Sequence, residues 1–440
     1  MRYLVVGSGG REHAIAWKLS QDSEVFVLPG NPGMALDAQL VSGDASDFSF
    51  IAQKARELEV SAVVAGPEAP LVAGIYDELK KEGIYVFGPS KQGAMLEGSK
   101  AFAKDFLVRH NIPTAQAQSF DDEQKALEFV KTHQFPLVIK FDGLAAGKGV
   151  HIVESMYEAE TVLHGIMSEN MFSKTNSKVV IEEFLVGKEL SVLTVTDGKS
   201  IKMLPFSRDH KQLEDGNKGP MTGGMGAFCP VPGIDSETER RIKEEIVDRT
   251  LEGIKKDGLD YKGILYCGLM LTNDGPKVIE YNCRFGDPEA QIVLPMVENS
   301  LSEIIEAVKT QTLEKIEIQQ KHGFASCVVL ASKGYPTKNE VGKVITGLDK
   351  AADTPHTKVF IAGAKESNGN LLTAGGRVLA CCGFGNTLRQ SLGRAYTLTT
   401  IVDFEGKQFR GDIGGRYARG RTSILNIRFK IRFGGSKKGN

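Results

Sequence analysis

Pro136-Leu-Val-Ile-Lys-Phe-Asp-Gly-Leu-Ala-Ala-Gly-Lys-Gly-Val-His-Ile-Val153 is the stretch from which the rest of the chain can be read. The apolar run ending at Lys140 has the composition of a buried strand, three glycines interrupt it, and Val150 to Val153 starts a second strand. This is a glycine-rich hairpin. Without a Cβ, Gly143, Gly147 and Gly149 let the backbone take positive φ and approach a ligand, so consecutive amides can converge on a phosphate. Lys140 and Lys148 add positive charge. A Walker A loop does not fit. Gly143 to Gly147 encloses three residues where four are required, Gly149 stands where Ser or Thr would hold Mg²⁺, and the loop runs into a strand. A flap covering phosphates between two strands fits better than a loop with solvated lysines.

Upstream, the short apolar runs Tyr3 to Val6, Val25 to Leu28, Ala62 to Ala65 and Ile84 to Phe87 alternate with helix-like segments, among them Phe48 to Leu58 with Asp47 as N-cap. That alternation predicts a parallel, doubly wound, Rossmann-like domain. Its first turn, Gly7-Ser-Gly-Gly-Arg-Glu-His13, places Gly9, Gly10 and Arg11 where a helix N-terminus can hold a phosphate. The third glycine of a dinucleotide fingerprint falls at Glu12, so a single phosphate is expected and not NAD. Gly66-Pro-Glu68 follows another strand end and brings Glu68 to the ligand-binding rim.

Downstream, Lys91 to His110 reads as one helix with Lys100 and Lys104 a turn apart. The run Val179 to Leu185 reads as a strand ending in Glu182 and Glu183. Backbone groups from Glu183 through Phe184 to Leu185 can meet an adenine edge, with Glu189 set to accept ribose hydroxyls. Gly219 to Ala227, with Thr222, suggests a backbone anion nest. In Lys277-Val-Ile-Glu-Tyr-Asn-Cys-Arg284 a period of two puts Glu280, Asn282 and Arg284 on one face and Ile279, Tyr281 and Cys283 on the other. Two hard oxygens near a phosphate flap suit Mg²⁺, which completes its shell with water and phosphate, and Arg284 can fork a carboxylate. Strand Ile264 to Leu271 carries no carboxylate.

The overall charge balance, 54 basic against 55 acidic residues, calls for neither nucleic acid nor a membrane surface, so a small-molecule partner is expected. Six cysteines without Cys-x-x-Cys or zinc-type spacing are expected as reduced thiols. A first strand at Tyr3 leaves no room for a leader, which points to the cytoplasm. The expected organisation is α/β and α+β multidomain. It comprises a doubly wound domain over 1–99, a central domain over 100–325 with a flap subdomain about 114–190, a small α+β domain over 326–415, and a basic divergent tail over 416–440. The tail reads as having no catalytic consequence, in preference to a nucleic-acid arm.

Taken in order, Gly7–His13, Gly66–Glu68, Lys140–Gly149, Asp209-His-Lys211, Thr222-Gly-Gly-Met-Gly226, Ile279–Glu289, Ala331-Ser-Lys-Gly-Tyr-Pro336 and Gly375-Gly-Arg377 resemble the ATP-grasp superfamily and, within it, the phosphoribosylamine–glycine ligase family. The resemblance implies ATP-dependent joining of glycine to 5-phosphoribosylamine through glycyl phosphate, in a monomer using Mg²⁺ or Mn²⁺. It assigns the ATP phosphates to Lys104, Lys140 and the flap (Gly143, Ala145, Gly147, Lys148, Gly149), the adenine to Glu182, Glu183, Phe184 and Leu185, and the ribose to Glu189. It assigns the metal to Glu280 and Asn282, and catalysis to Lys140, Asp209 and Arg284. Asp209, Lys211, Gly224, Arg284, Pro288, Ser332, Lys333, Gly334, Gly376 and Arg377 would meet substrate, with Gly9, Gly10 and Glu68 near the phosphoribosyl group. Two other readings remain open: another ATP-grasp ligase or carboxylase, although no Met-Lys-Met biotinylation motif occurs, and a nucleotide-binding relative without chemistry.

Overall fold

The computed structural model describes residues 1–145, 147–173 and 177–418; the basic tail lies outside the described residues from 419 onward. Among the described residues the N-terminal sheet has five parallel strands in the spatial order Gln39–Leu40, Glu24–Pro29, Arg2–Gly7, Ala62–Ala65 and Val86–Phe87. Its inner strands are apolar along their whole length because both faces are covered: Tyr3, Leu4, Val5 and Val6 are all fully buried. Helix Phe48–Glu57 starts at Asp47, whose side chain accepts from the Phe50 amide. The strand expected from Ile84 is shorter, since the Ile84 amide donates to Leu79 O and closes the preceding helix.

Three larger sheets and two two-stranded hairpins, Gln212–Met221 and Ala364–Thr373, hold the remaining strands among the described residues. The flap sheet runs Ala117–Phe120, Val179–Glu183, Leu137–Phe141, Val150–Val153 and is antiparallel, with helices Glu123–Lys131 and Met156–Met167 over its apolar core. Lys140 pairs with Val150, so the glycine stretch is a hairpin loop. The strand expected to reach Leu185 ends at Glu183.

A second antiparallel sheet orders Ile201–Met203, Lys188–Thr196, Gly263–Thr272 and Gly275–Asn282. Here the strict alternation predicted for the last strand fails. Gly268 pairs with Glu280 and Leu269 with Val278, which leaves Ile279 as an extra residue in a bulge. Val278 and Tyr281 therefore both enter the core, while Ile279 is half-buried and lines the central cavity. Arg284 lies beyond the strand, in the bend that follows.

The last sheet runs Arg208–Asp209, Gly226–Cys229, Phe324–Ala331, Arg377–Gly385, Thr357–Ile361, with helix Leu388–Ile401 packed across it. Its first two strands come from the middle of the chain, so the C-terminal part is built onto the central part through one continuous sheet.

The helix expected over Lys91 to His110 is broken. Met95–Gly98 and Lys100–Arg109 are separate helices, and Ser99 between them is extended, with its Oγ accepting from the Phe102 amide. All six cysteines are buried free thiols. Among the described residues no helix is long and apolar enough to cross a membrane.

Candidate active site

The flap sheet, the second sheet and the shared sheet enclose a cavity of about 1000 Å³. On the flap side, Glu182 stands between two ammonium groups. Its Oε2 is 2.9 Å from Lys140 Nζ and its Oε1 is 3.3 Å from Lys104 Nζ. Lys140 also donates to Ile279 O, and Lys104 to Thr114 Oγ1 and Ala115 O. The Glu182 side chain, expected at the adenine, is thus the counter-ion of the two lysines expected at the phosphates. Two cations sharing one anion leave a net positive charge in a poorly solvated place. Burial brings the Lys104 ammonium down to about 8, against the pull of Glu182. Lys100, not among the expected site residues, also lines the cavity and donates to Gly143 O at 2.9 Å.

Only one of the three flap glycines uses a left-handed backbone: Gly147, at φ +78°. A Cβ on Gly143 would lie 2.6 Å from the Phe141 ring, and one on Gly149 would lie 2.9 Å from Ala145, so those two glycines answer to crowding. Ala145, Gly147 and Gly149 line the cavity; Gly143 and the exposed Lys148 do not. At the far rim Glu183, Phe184, Leu185 and Glu189 line it. The Glu183 amide is taken by Gln116 O, so the backbone open to a ligand begins at Phe184.

Opposite the lysines, Glu280 and Asn282 present oxygens to the cavity. Glu280 Oε1 is 2.9 Å from Lys211 Nζ, which lies 3.7 Å from Glu189 Oε2. Burial would raise the Glu280 carboxyl, but Lys211, followed by Lys140 and Lys100, outweighs it and brings it down to about 2. A carboxylate kept ionised beside an amide oxygen is a donor set that suits Mg²⁺ or Mn²⁺. No group of three or more His, Cys, Asp or Glu suited to a metal occurs among the described residues, so other oxygens would have to complete the shell. On the neighbouring strand Gly268 pairs with Glu280, and a Cβ there would stand 2.9 Å from Glu280 Cγ.

Arg284 lines the cavity, but both of its Nη nitrogens are engaged, while its buried Nε makes no hydrogen bond. Nη2 is 2.8 Å from Glu97 Oε1 and donates to Asn282 Oδ1 at 3.2 Å; Nη1 donates to Phe285 O; Nε is 3.4 Å from Glu68 Oε2. Both bidentate edges of a guanidinium include Nη2, so a substrate carboxylate could be forked here only by displacing a protein oxygen. Glu68 lies 3.7 Å from Arg11 as well, and both residues line the cavity. Gly9 and Gly10 do not. The Gly9 amide donates to Glu12 Oε2 at 2.6 Å, and Glu12 Oε1 accepts from Arg11 Nε. The carboxylate that breaks the dinucleotide fingerprint therefore occupies the anion position at its own helix N-terminus.

The expected anion nest is not one. The amides of Thr222, Gly223, Gly224 and Met225 donate to Lys211 O, Tyr335 Oη, Thr222 Oγ1 and His210 O. Thr222 and Gly223 line the cavity; Gly224, packed against Pro288, does not, nor does Pro288. Asp209 and Lys211 line it, and burial raises the Asp209 carboxyl against the opposing charge of Lys211. Arg377 also lines it, donating to Gly223 O and Asp287 O with Nη2 3.2 Å from Asp287 Oδ2. Ser332, Lys333, Gly334 and Gly376 stand behind this wall. Ser332 donates to Gly375 O, Lys333 is exposed and pairs with Glu340, Gly334 makes a left-handed turn, and Gly376 packs on Tyr335.

Three buried groups at the site were given no role by the sequence, although Glu289 closes the Ile279–Glu289 motif. Glu97 sits in a short helix where a carboxylate reads as solvated, although it is only 8% exposed. Glu289 accepts from Tyr266 Oη at 2.7 Å and Ser191 Oγ at 3.2 Å. Arg410, 1% exposed, pairs through two nitrogens with Asp412 and donates to Gln212 O and Asn217 Oδ1.

Three family models match the chain: phosphoribosylglycinamide synthetase N domain over residues 1–97, ATP-grasp (A) domain over 98–290, and C domain over 325–416. A phosphoribosylamine–glycine ligase of Clostridium acetobutylicum is 44% identical over 417 residues, 94% of this chain and 99% of that protein. The chicken trifunctional purine biosynthetic protein adenosine-3 is 45% identical over 422 residues, and the chain spans 42% of its length. Among solved structures, phosphoribosylamine–glycine ligase from Thermotoga maritima matches with a TM-score of 0.82 at 38% identity, over 94% of this chain and 100% of that one. The biotin carboxylase domain of a Hydrogenobacter thermophilus 2-oxoglutarate carboxylase, at 15% identity and TM-score 0.71, shares the fold alone.

Proposed function

Because this chain belongs to the phosphoribosylglycinamide synthetase family, we propose that it joins glycine to 5-phosphoribosylamine with ATP, giving glycinamide ribonucleotide, ADP and phosphate in purine biosynthesis. The observation that carries this reading is the pairing, across one cavity, of two buried lysines under the flap hairpin with an ionised Glu280 beside Asn282. A nucleotide triphosphate needs both halves. Carboxylase relatives match only in fold, whereas a ligase matches in sequence over 94% of the chain.

A glycine carboxylate oxygen attacks the γ-phosphorus in line, the bond to the β-phosphate oxygen breaks, and ADP leaves. The amine of phosphoribosylamine then attacks the carbonyl carbon of glycyl phosphate, and inorganic phosphate departs. The first step is served by positioning and fixed charge. Lys104 and Lys140 balance the phosphates, Phe184 and Leu185 offer backbone to adenine, and Glu189 takes the ribose. Glu280 and Asn282 would hold Mg²⁺ or Mn²⁺, which would draw charge from the phosphate oxygens. Asp209, Lys211, Arg284 and Arg377 face the substrate end, and Arg11 with Glu68 the phosphoribosyl end. Closure of the flap over Ala145 to Gly149 keeps water from glycyl phosphate. We place this activity in a cytoplasmic monomer divided at about residues 99, 325 and 415.

The test is phosphate release from Mg-ATP with glycine, with and without phosphoribosylamine generated in place from ribose 5-phosphate and ammonia. Release that requires both substrates, with glycinamide ribonucleotide found by mass, is expected. Tight ATP binding without turnover would overturn the ligase in favour of a nucleotide-binding relative.

A further inference from the structure

We propose that Glu97 is a positioning residue for the ligation, setting the Arg284 guanidinium and the end of the strand that carries Glu280 and Asn282; this rests on the ligase reading above. One carboxylate holds two consecutive residues. Oε1 is 2.8 Å from Arg284 Nη2, and Oε2 accepts from the Cys283 amide at 2.7 Å. The Cys283 thiol points back at Gly93 O and Ala94 O, so residues 93–97 grip the strand end at three atoms. Arg284 Nη2 in turn donates to Asn282 Oδ1, which links Glu97, Arg284 and Asn282 through an ion pair followed by a hydrogen bond.

The cost of this arrangement argues that it has a use. Glu97 is buried, and burial raises its carboxyl against the charge of Arg284. A packed apolar residue could hold a strand end without burying an ion pair. What a carboxylate adds is a fixed rotamer for the guanidinium: with Nη2 held on two sides, the Arg284 plane cannot turn. The same segment also reaches the root of the flap. Ser99 Oγ and the Ala101 amide both donate to Asp142 Oδ1. Loosening the segment as a whole would therefore disturb the ATP end too, whereas loss of the Glu97 charge alone should be felt at the Arg284 end.

The experiment uses the full chain with Glu97→Gln, which keeps the shape and removes the charge. Loss of one charge-assisted hydrogen bond predicts a fall of about 30-fold in kcat/KM for glycine and for phosphoribosylamine. KM for ATP should stay within about threefold, since Lys104 and Lys140 are untouched. In an Arg284→Lys background the same change should lose most of its effect on kcat/KM, because the route through the guanidinium is gone and only the Cys283 amide contact remains. The Cys283 thiol, read by a thiol reagent and peptide mass, should also react faster in Glu97→Gln, while the other five stay slow. That second reading needs no turnover, so it tests the grip even if the unaltered chain proves not to be the ligase. Unchanged kcat/KM, an undiminished effect in the Arg284→Lys background, an equal rise in KM for ATP, or unchanged Cys283 reactivity would each overturn the proposal.

Discussion

Lys211 Nζ lies 2.9 Å from Glu280 Oε1, joining the strand that would carry the metal to the loop that precedes hairpin Gln212–Met221. The ammonium and a divalent cation would share one carboxylate. Lys211→Met should therefore lower turnover about a hundredfold through loss of fixed charge at the substrate end. The Mg²⁺ concentration for half-maximal activity should fall as the competitor is removed. A magnesium titration of both proteins checks this, and an unchanged requirement would separate the two cations.

The Lys104 ammonium, brought down to about 8 by burial, has a folded pKa below its unfolded value. Between about 8 and the ordinary Lys value the unfolded chain binds more protons, so this group makes stability rise with pH across that window. Binding should move the other way. KM for ATP is expected to rise above pH 8 as Lys104 loses its charge, and the rise should flatten in Lys104→Met. A profile of KM for ATP from pH 7 to 10 reads it directly.

Gly147 at φ +78° has 3.4 Å between a notional Cβ and Thr222 O. A valine there costs about 1–2 kcal/mol of backbone strain, and its γ-carbons have little space. Gly147→Val is expected to raise KM for ATP about tenfold, in line with that strain. Thermal unfolding should hardly move, because the flap loop is not in the core. A drop of many degrees in Tm would show that Gly147 supports the fold.

Arg410 fastens hairpin Gln212–Met221 to the C-terminal segment through Asp412, Asn217 and Gln212 O. Arg410→Met leaves Asp412 half-buried without its partner and should cost about 2–3 kcal/mol, below the figure for a fully buried pair because Asp412 is partly exposed. Urea unfolding measures it. Since Arg410 also helps hold the nearby His210 down to about 4, after burial, stability lost between the ordinary His value and pH 4 should shrink in the variant.

Much of this protein was legible in its residues taken in order. Short apolar runs in the first hundred residues were enough for a parallel sheet, because strands covered on both faces need no alternation. Glycine spacing after Lys140 was enough for a hairpin and against a P-loop, because it is a local statement about chain reversal. Glu280, Asn282 and Lys140 could be named from residue type and spacing, and Lys104 only through the family resemblance; all four line one cavity.

What neighbours in space supply had to come from the tertiary structure. Alternation placed Ile279 on the apolar face, but the bulge opposite Gly268 turned it to the cavity, and register between strands is not written in either strand alone. The glycines around Gly224 were read as donors to an anion, yet Tyr335 Oη already accepts the Gly223 amide and Thr222 Oγ1 the Gly224 amide. Arg284 was read as a free fork; Glu97, from a short helix far earlier in the chain, already pairs with its Nη2. A sequence states which groups can donate and which can accept. Whether a partner from elsewhere in the chain has already taken them depends on packing, and packing alone decided which of the expected site residues face the cavity.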